Sequence, residues 1–393
     1  MSGSVRPVIV AAPDSFKGSC SAIDAANAML AGARAVFKDA ADYVAVPLAD
    51  GGEGTLDALL DAWGVEARTV EVHDAIGRTR TARYALSADG ATAMIEAAEA
   101  NGLPWVSDVD LRPLDASTEG VGEIALDALE RGASEILLSI GGSATSDGGT
   151  GMLRALGVRF LDARGEEVAP GATGLAQIER VDASGLDPRA AQATWRIAVD
   201  VTFPLTGPTG AAAVFGPQKG ATPSDVEFID AGLAHLAALL ADIDGVPLAT
   251  YTDRPGFGAA GGMLLTGVSL LGAETLAGAD LVSDTLGLPE LLANATLVLT
   301  GEGQLDSQSL NGKVVDLVSR TRPQHVPVVV IAGSIALSAA ECNAAGVTAA
   351  FSIASGPTSL DDLVGVTPTR IAETAEQVCR LFDAVRPNHQ TSL

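Results

Sequence analysis

At 393 residues the chain is too long for one ordinary core, which implies two domains or one domain interrupted by another. Apolar residues make up 47% and charged residues 19%, and no apolar run nears the ~20 residues that span a bilayer, which argues against a membrane role. A net charge of -25 argues equally against gripping nucleic acid by its phosphates, so an anionic ligand must be held locally, by backbone N–H groups, a few Lys or Arg, or a cation such as Mg2+.

Pro7 to Ala12 reads as a buried strand ending at Pro13-Asp14-Ser15-Phe16-Lys17-Gly18. Ser21-Ala22-Ile23-Asp24 then has the form of a capping box and opens an Ala-rich helix to about Phe37. Tyr43 to Leu48 is a second strand, which runs into Ala49-Asp50-Gly51-Gly52-Glu53-Gly54-Thr55 and a helix through Leu59. Asp50 and Glu53 have two readings there, ligand contact or the negative charge that a helix start favours. From Val65 to about Glu96 the pattern changes to alternation, with strands at Val70 to His73, Arg80 to Leu86 and Ala91 to Ile95. That shift predicts antiparallel pairing and the start of a domain inserted into the first.

Ser117-Thr118-Glu119 is placed to cap a helix to about Arg131. Ile136 to Ile140 is a short apolar run that stops at Gly141 and Gly142 and leads through Ser143, Ala144 and Thr145 to a helical pattern at Met152 to Leu156. A strand, a loop of glycine and hydroxyls, and a helix start make an anion cradle, for which phosphate is the natural occupant. Taken alone, the loop reads equally well as a tight turn. Residues 157–194 are loop-rich. Trp195 to Val201 is a strand with Asp200 near its end, Val214 to Gly220 sets Lys219 among glycines, and Ser224 to Leu240 is a helix. Lys219 is either a ligand group or an ordinary solvated lysine.

Gly256 to Gly261 matches GxGxxG formally but lacks the strand before it and the acidic residue after it that a dinucleotide site needs, so it reads as helix packing. Thr296 to Thr300 is a strand expected to stop at Gly301-Glu302-Gly303-Gln304-Leu305-Asp306-Ser307, before Gly312-Lys313 and a helix. Val328 to Ala332 and Ala349 to Ile353 are further strands, Ile371 to Val385 is a closing helix, and the tail 387–393 is expected to be disordered. Three cysteines without metal spacing and four scattered histidines leave little for a zinc site or a Ser-His-Asp triad. An odd thiol count and no apolar leader fit a cytoplasmic protein.

Strands thus end in loops of glycine, hydroxyl and carboxylate after Ala12, Leu48, Ile140, Val201 and Thr300. In a parallel sheet such ends share one edge, where ligands bind. Plain turns do not need Asp14, Asp50, Glu53, Asp147, Asp200, Glu302 and Asp306 placed this way. Carboxylates without histidine suit Mg2+, and glycine loops, lysines and magnesium carboxylates together are the parts of phosphoryl transfer. Walker A and the protein-kinase signatures are both absent.

The blocks Ala12 to Ser19, Pro47 to Thr55, Ile140 to Thr145 with Asp147-Gly148-Gly149, Val214 to Ala221 and Thr300 to Asp306 resemble the bacterial glycerate kinase type I family, over about Val8 to Phe382. The resemblance implies ATP- and Mg2+-dependent phosphorylation of D-glycerate at the 2-hydroxyl, giving 2-phosphoglycerate in a cleft between two domains. It also implies a flavodoxin-like parallel α/β domain, residues 1–65 and 290–386, with a second α/β domain inserted at 66–289. Relatives usually read Asp-Val-Asp-Asn-Pro-Leu where this chain has Asp200-Val201-Thr202-Phe203-Pro204-Leu205, so their second acidic position has no counterpart here. Ser146 stands for the commoner Asn.

On this basis Asp14, Lys17 and Asp306 are the expected catalytic residues. Lys17 contacts either the transferred phosphoryl or the glycerate carboxylate, and Asp14 and Asp306 divide hydroxyl orientation and magnesium between them. Gly141, Gly142, Ser143, Ala144, Thr145 and Lys219 are expected at the nucleotide, and Ser15, Asp50, Glu53 and Glu302 at the substrate or in support of it. Asp147 and Asp200 are the expected metal carboxylates, Asp147 having a helix cap as its other reading. Alternatives are a kinase for another small hydroxy acid, a 3-phosphoglycerate-forming enzyme, a nucleotide or metabolite sensor, and, least favoured, a dehydrogenase.

Overall fold

A computed structural model describes residues 6–52, 54–354, 356 and 363–386. The chain divides into two compact units, one of Met1–Asp50, Asp57–Ala62 and Ala279–Leu393, the other of Gly51–Leu56 and Trp63–Gly278. The architecture is mixed α/β, built on parallel sheet. Among the described residues no helix is long and apolar enough to cross a membrane.

The first unit is organised on a five-stranded sheet in the order Ala349–Ser352, Val328–Ile335, Leu297–Leu305, Val8–Ala11, Asp42–Ala45, with every neighbouring pair parallel. Val8–Ala11 and Leu297–Leu299 are apolar without alternation because a central parallel strand is covered on both faces. The helix Ala22–Phe37 starts where Ser21 Oγ accepts the Asp24 N–H at 3.2 Å, and it packs its alanine-rich face with the helix Thr367–Val385 into the core around Ile9, Met29, Leu299 and Ile331.

Several expected strand ends shift, Tyr43 to Leu48 being Asp42–Ala45 and Trp195 to Val201 being Thr194–Ala198, and one shift bears on the site. The strand that begins at Leu297 does not stop at Thr300 but pairs with Val328–Ile335 as far as Leu305, so Glu302 lies on a strand. The glycines that read as a stop are there for closeness: a Cβ on Gly301 would stand 1.8 Å from the Ile331 carbonyl oxygen. Only glycine lets the two backbones pass at that point.

The second unit holds a six-stranded sheet in the order Glu274–Leu276, Thr194–Ala198, Glu135–Ser139, Thr92–Glu96, Thr79–Leu86, Arg68–His73. The first four are parallel and the last two add antiparallel pairing, as the alternation after Val65 predicts. Arg159–Leu161 and Arg180–Asp182 form a separate antiparallel pair inside the region that reads as loop. The core gathers Ile136, Leu138, Trp195 and Phe160 with the inner face of Pro223–Asp244. That helix begins earlier than its sequence pattern suggests, at a reciprocal capping box of Thr222 and Asp225, and ends on left-handed Gly245. The tail 387–393 lies outside the described residues.

Candidate active site

In the second unit, the parallel strands bring the ends of Thr92–Glu96, Glu135–Ser139 and Thr194–Ala198 to one sheet edge. The Gly141–Thr145 loop follows the central one of these three. It is pinned on one side by the segment after Thr92–Glu96: Leu103 N–H donates to Gly142 O at 2.9 Å, Ala144 N–H donates to Asn101 O at 2.8 Å, and Asn101 Nδ2 donates to Thr145 Oγ1 at 3.2 Å. The GxGxxG run packs on its other side. A Cβ on Gly261, whose φ is +67°, would fall 2.2 Å from Thr145 O, so this glycine serves contact with the loop, whereas Gly256 and Gly258 face the segment around Val199 to Pro204.

Lys219 is buried, not solvated. It is 3% exposed and donates to Thr145 O at 2.6 Å and to Ser143 Oγ at 3.2 Å. Burial pulls its pKa down to about 8, while the Asp147 charge works to keep it protonated. An ammonium thus stands directly behind a glycine-and-hydroxyl loop, giving an otherwise acidic chain a local positive field.

Asp147 does not have the geometry of a metal ligand. Its carboxylate is fully buried and accepts from Thr118 N at 2.8 Å, Thr118 Oγ1 at 2.9 Å, Gly151 N at 3.1 Å and Gly149 N at 3.0 Å. Three of those donors meet Oδ2 and one meets Oδ1, and with the carboxylate fully buried they favour its structural reading. Thr118 correspondingly makes no cap on its own helix, Glu119–Glu130, and its hydroxyl accepts from Met152 N at 2.9 Å instead. Asp200, two residues beyond Thr194–Ala198, is exposed, and its Oδ1 accepts from Gly278 N at 2.8 Å. Among the described residues no three His, Cys, Asp or Glu side chains converge closely enough to hold a metal alone.

In the first unit, adjacent strand ends are laced together. Asp14 N–H donates to Gly301 O at 2.9 Å, Leu48 N–H to Pro13 O at 2.9 Å, and Thr300 Oγ1 to Ala12 O at 2.7 Å. This brings Asp14, Ser15, Asp50 and Glu302 into one group. The Asp14 pKa is pushed up to about 7, first by burial and then by the charges of Asp50 and Glu302, with the Ser15 N–H that donates to Oδ1 at 2.6 Å opposing. Burial also raises Glu302, whose Oε1 is buried and has no hydrogen-bond partner among the described residues. Lys313 Nζ pairs with Asp50 Oδ2 at 3.4 Å.

Asp306 sits on the rim of this group. Its Oδ1 accepts from Gln308 N at 2.8 Å, capping a turn, and its charge raises the Glu302 pKa. Lys17 is exposed, on a loop anchored by Phe16, which is buried. Glu53 lies outside the described residues. Sequence reasoning missed Asn101 and Thr118, which support the second unit's loops from outside any glycine block, and it gave Lys313 no role although Gly312-Lys313 stood out.

Comparison with known proteins agrees with these motifs. A family model described as the glycerate kinase family matches residues 9–383. The chain is 43% identical to Escherichia coli (strain K12) glycerate 2-kinase over 355 residues, covering 90% of this chain and 92% of that one. It is 42% identical to Bacillus subtilis (strain 168) glycerate kinase, with 90% and 92% covered. A crystal structure from Salmonella typhimurium LT2, described provisionally as glycerate kinase 2, superposes with a TM-score of 0.88 at 42% identity, covering 97% of this chain and 99% of that one.

Proposed function

The chain belongs to the glycerate kinase family, and we propose that it transfers the γ-phosphoryl group of ATP to the 2-hydroxyl of D-glycerate, giving 2-phosphoglycerate and ADP. The observation that carries this reading is Asp14, a carboxylate at a strand end whose pKa of about 7 suits it to take a hydroxyl proton near neutral pH. In the step, the hydroxyl oxygen attacks the γ-phosphorus as its proton passes to Asp14, the bond from the γ-phosphorus to the bridging oxygen breaks, and ADP leaves. Lys17, exposed on its loop, meets charge on the transferred group, while Ser15, Glu302 and Asp306 orient the acid.

The Gly141–Thr145 loop, backed by Lys219, holds the nucleotide phosphates through backbone N–H groups and a buried charge. Mg2+ fits the hard oxygen donors of this chain, and it needs only one or two carboxylates beside the phosphates it rides on. Asp200 is the carboxylate that would hold it, since Asp147 is fully engaged. The ion would supply neutralisation of charge on the phosphate oxygens.

Phosphorus NMR of a reaction of D-glycerate, ATP and magnesium tests the whole reading. The expected result is one new phosphomonoester resonance matching 2-phosphoglycerate, formed in step with ADP. A 3-phosphoglycerate resonance overturns the regiochemistry, and ATP left intact with D-glycerate overturns the activity.

A further inference from the structure

In the first unit the charges of Asp50 and Glu302 push the pKa of Asp14 up, and the charge of Asp50 also acts to raise that of Glu302, so three carboxylates share one neighbourhood. An acid entering such a group is repelled by it unless a cation meets its carboxylate. Lys313 is the ammonium built into the group: it pairs with Asp50 at 3.4 Å, its charge acts on Glu302, and its side chain keeps 40% of its surface exposed. Lys17, by contrast, is exposed and makes no hydrogen bond or ion pair among the described residues. A lysine has three N–H donors, and an ion pair this open to water contributes little, so re-aiming the ammonium from Asp50 costs little.

We propose that Lys313 recognises the carboxylate of the three-carbon acid, sharing its charge between Asp50 and the substrate, and thereby sets the preference for an acid over a neutral polyol. This rests on the glycerate kinase reading and adds to it a specificity-determining residue. The division of labour follows from position: the cation fixed among the carboxylates binds the ground-state charge of the substrate, and the loosely held Lys17 is left for the moving phosphoryl group. Glu302 Oε1, buried and without a hydrogen-bond partner among the described residues, is then placed to accept from a substrate hydroxyl.

The test compares D-glycerate with its neutral amide, D-glyceramide, in wild type, Lys313→Met and Lys313→Arg, with ATP and magnesium saturating and ADP release followed. Where the amide is not turned over, its inhibition constant against D-glycerate replaces its KM. The Met variant is expected to lose about 10²-fold in affinity for D-glycerate and to keep its affinity for the amide, so that the ratio between the two collapses. The KM for ATP stays put, and the Arg variant, which keeps the charge, recovers most of the ratio. An unchanged acid-to-amide ratio overturns the proposal even if turnover falls, since a merely structural lysine would weaken both compounds alike. An equal rise in the KM for ATP overturns it as well, by moving the lysine to the nucleotide. Failure of the wild type to phosphorylate D-glycerate marks instead the failure of the parent reading.

Discussion

At the scale of one residue, the proposed base Asp14 can be tested through its proton affinity. In the unfolded chain its carboxyl titrates near 3.8, and in the folded protein near 7. Between these values the folded state holds a proton that the unfolded state has lost, so this group costs stability as pH rises from about 4 to 7. Asp14→Asn keeps the oxygen that accepts from Ser15 and removes the buried charge. The variant is expected to melt higher than wild type at pH 8, with the gap closing below about pH 4, while turnover drops by ~10²-fold or more. Wild-type kcat/KM should fall on the acid side of about pH 7, where the base is protonated. A melting temperature at pH 8 no higher than wild type would mean that no unfavourable buried charge sits there. The place of Asp14 after a strand was legible, whereas its proton affinity was not, because burial and the charges of Asp50 and Glu302 come from residues far away in sequence. Asp147 shows the reverse: one short motif allows both a metal ligand and a structural acceptor, and only the donors from Thr118 and Gly151 decide.

At the scale of elements, the Leu297–Leu305 strand depends on glycine for approach rather than for turning. Gly301→Ala drives a Cβ to 1.8 Å from Ile331 O, whereas the nearest atom to a Cβ on Gly303 is Lys17 N at 3.4 Å. The first substitution is expected to destabilise by ~1–3 kcal/mol or more, read as a lower melting temperature, and the second to stay close to wild type. Equal melting temperatures would show that the strands can part without cost. The same residues explain the misplaced boundary, since Gly-Glu-Gly looks like punctuation whenever the neighbouring strand is unknown. Elements with a periodic apolar face and a local cap, such as Ala22–Phe37, were legible to within a residue. Residues 157–194 were not, because Arg159–Leu161 and Arg180–Asp182 are short strands specified by each other rather than by their own pattern.

At the scale of the whole molecule, charge sets the approach of the ligands. A chain of net charge -25 that takes two anions as substrates repels both at long range, and only local features such as Lys219 and Lys313 reverse the field close in. Salt screens exposed charges beyond about 10 Å at 0.1 M but acts weakly on a pair as buried as Lys219 and its partners. Moderate salt should therefore speed encounter more than it weakens binding. Raising NaCl from about 10 mM to about 150 mM at fixed free magnesium is expected to raise kcat/KM for D-glycerate by a few fold and to leave kcat unchanged. Stopped-flow or initial-rate measurements at constant pH read this directly. A monotonic fall in kcat/KM across that range would show that attraction by a positive site dominates the approach, and that the acidic surface is too far from the ligands' path to matter.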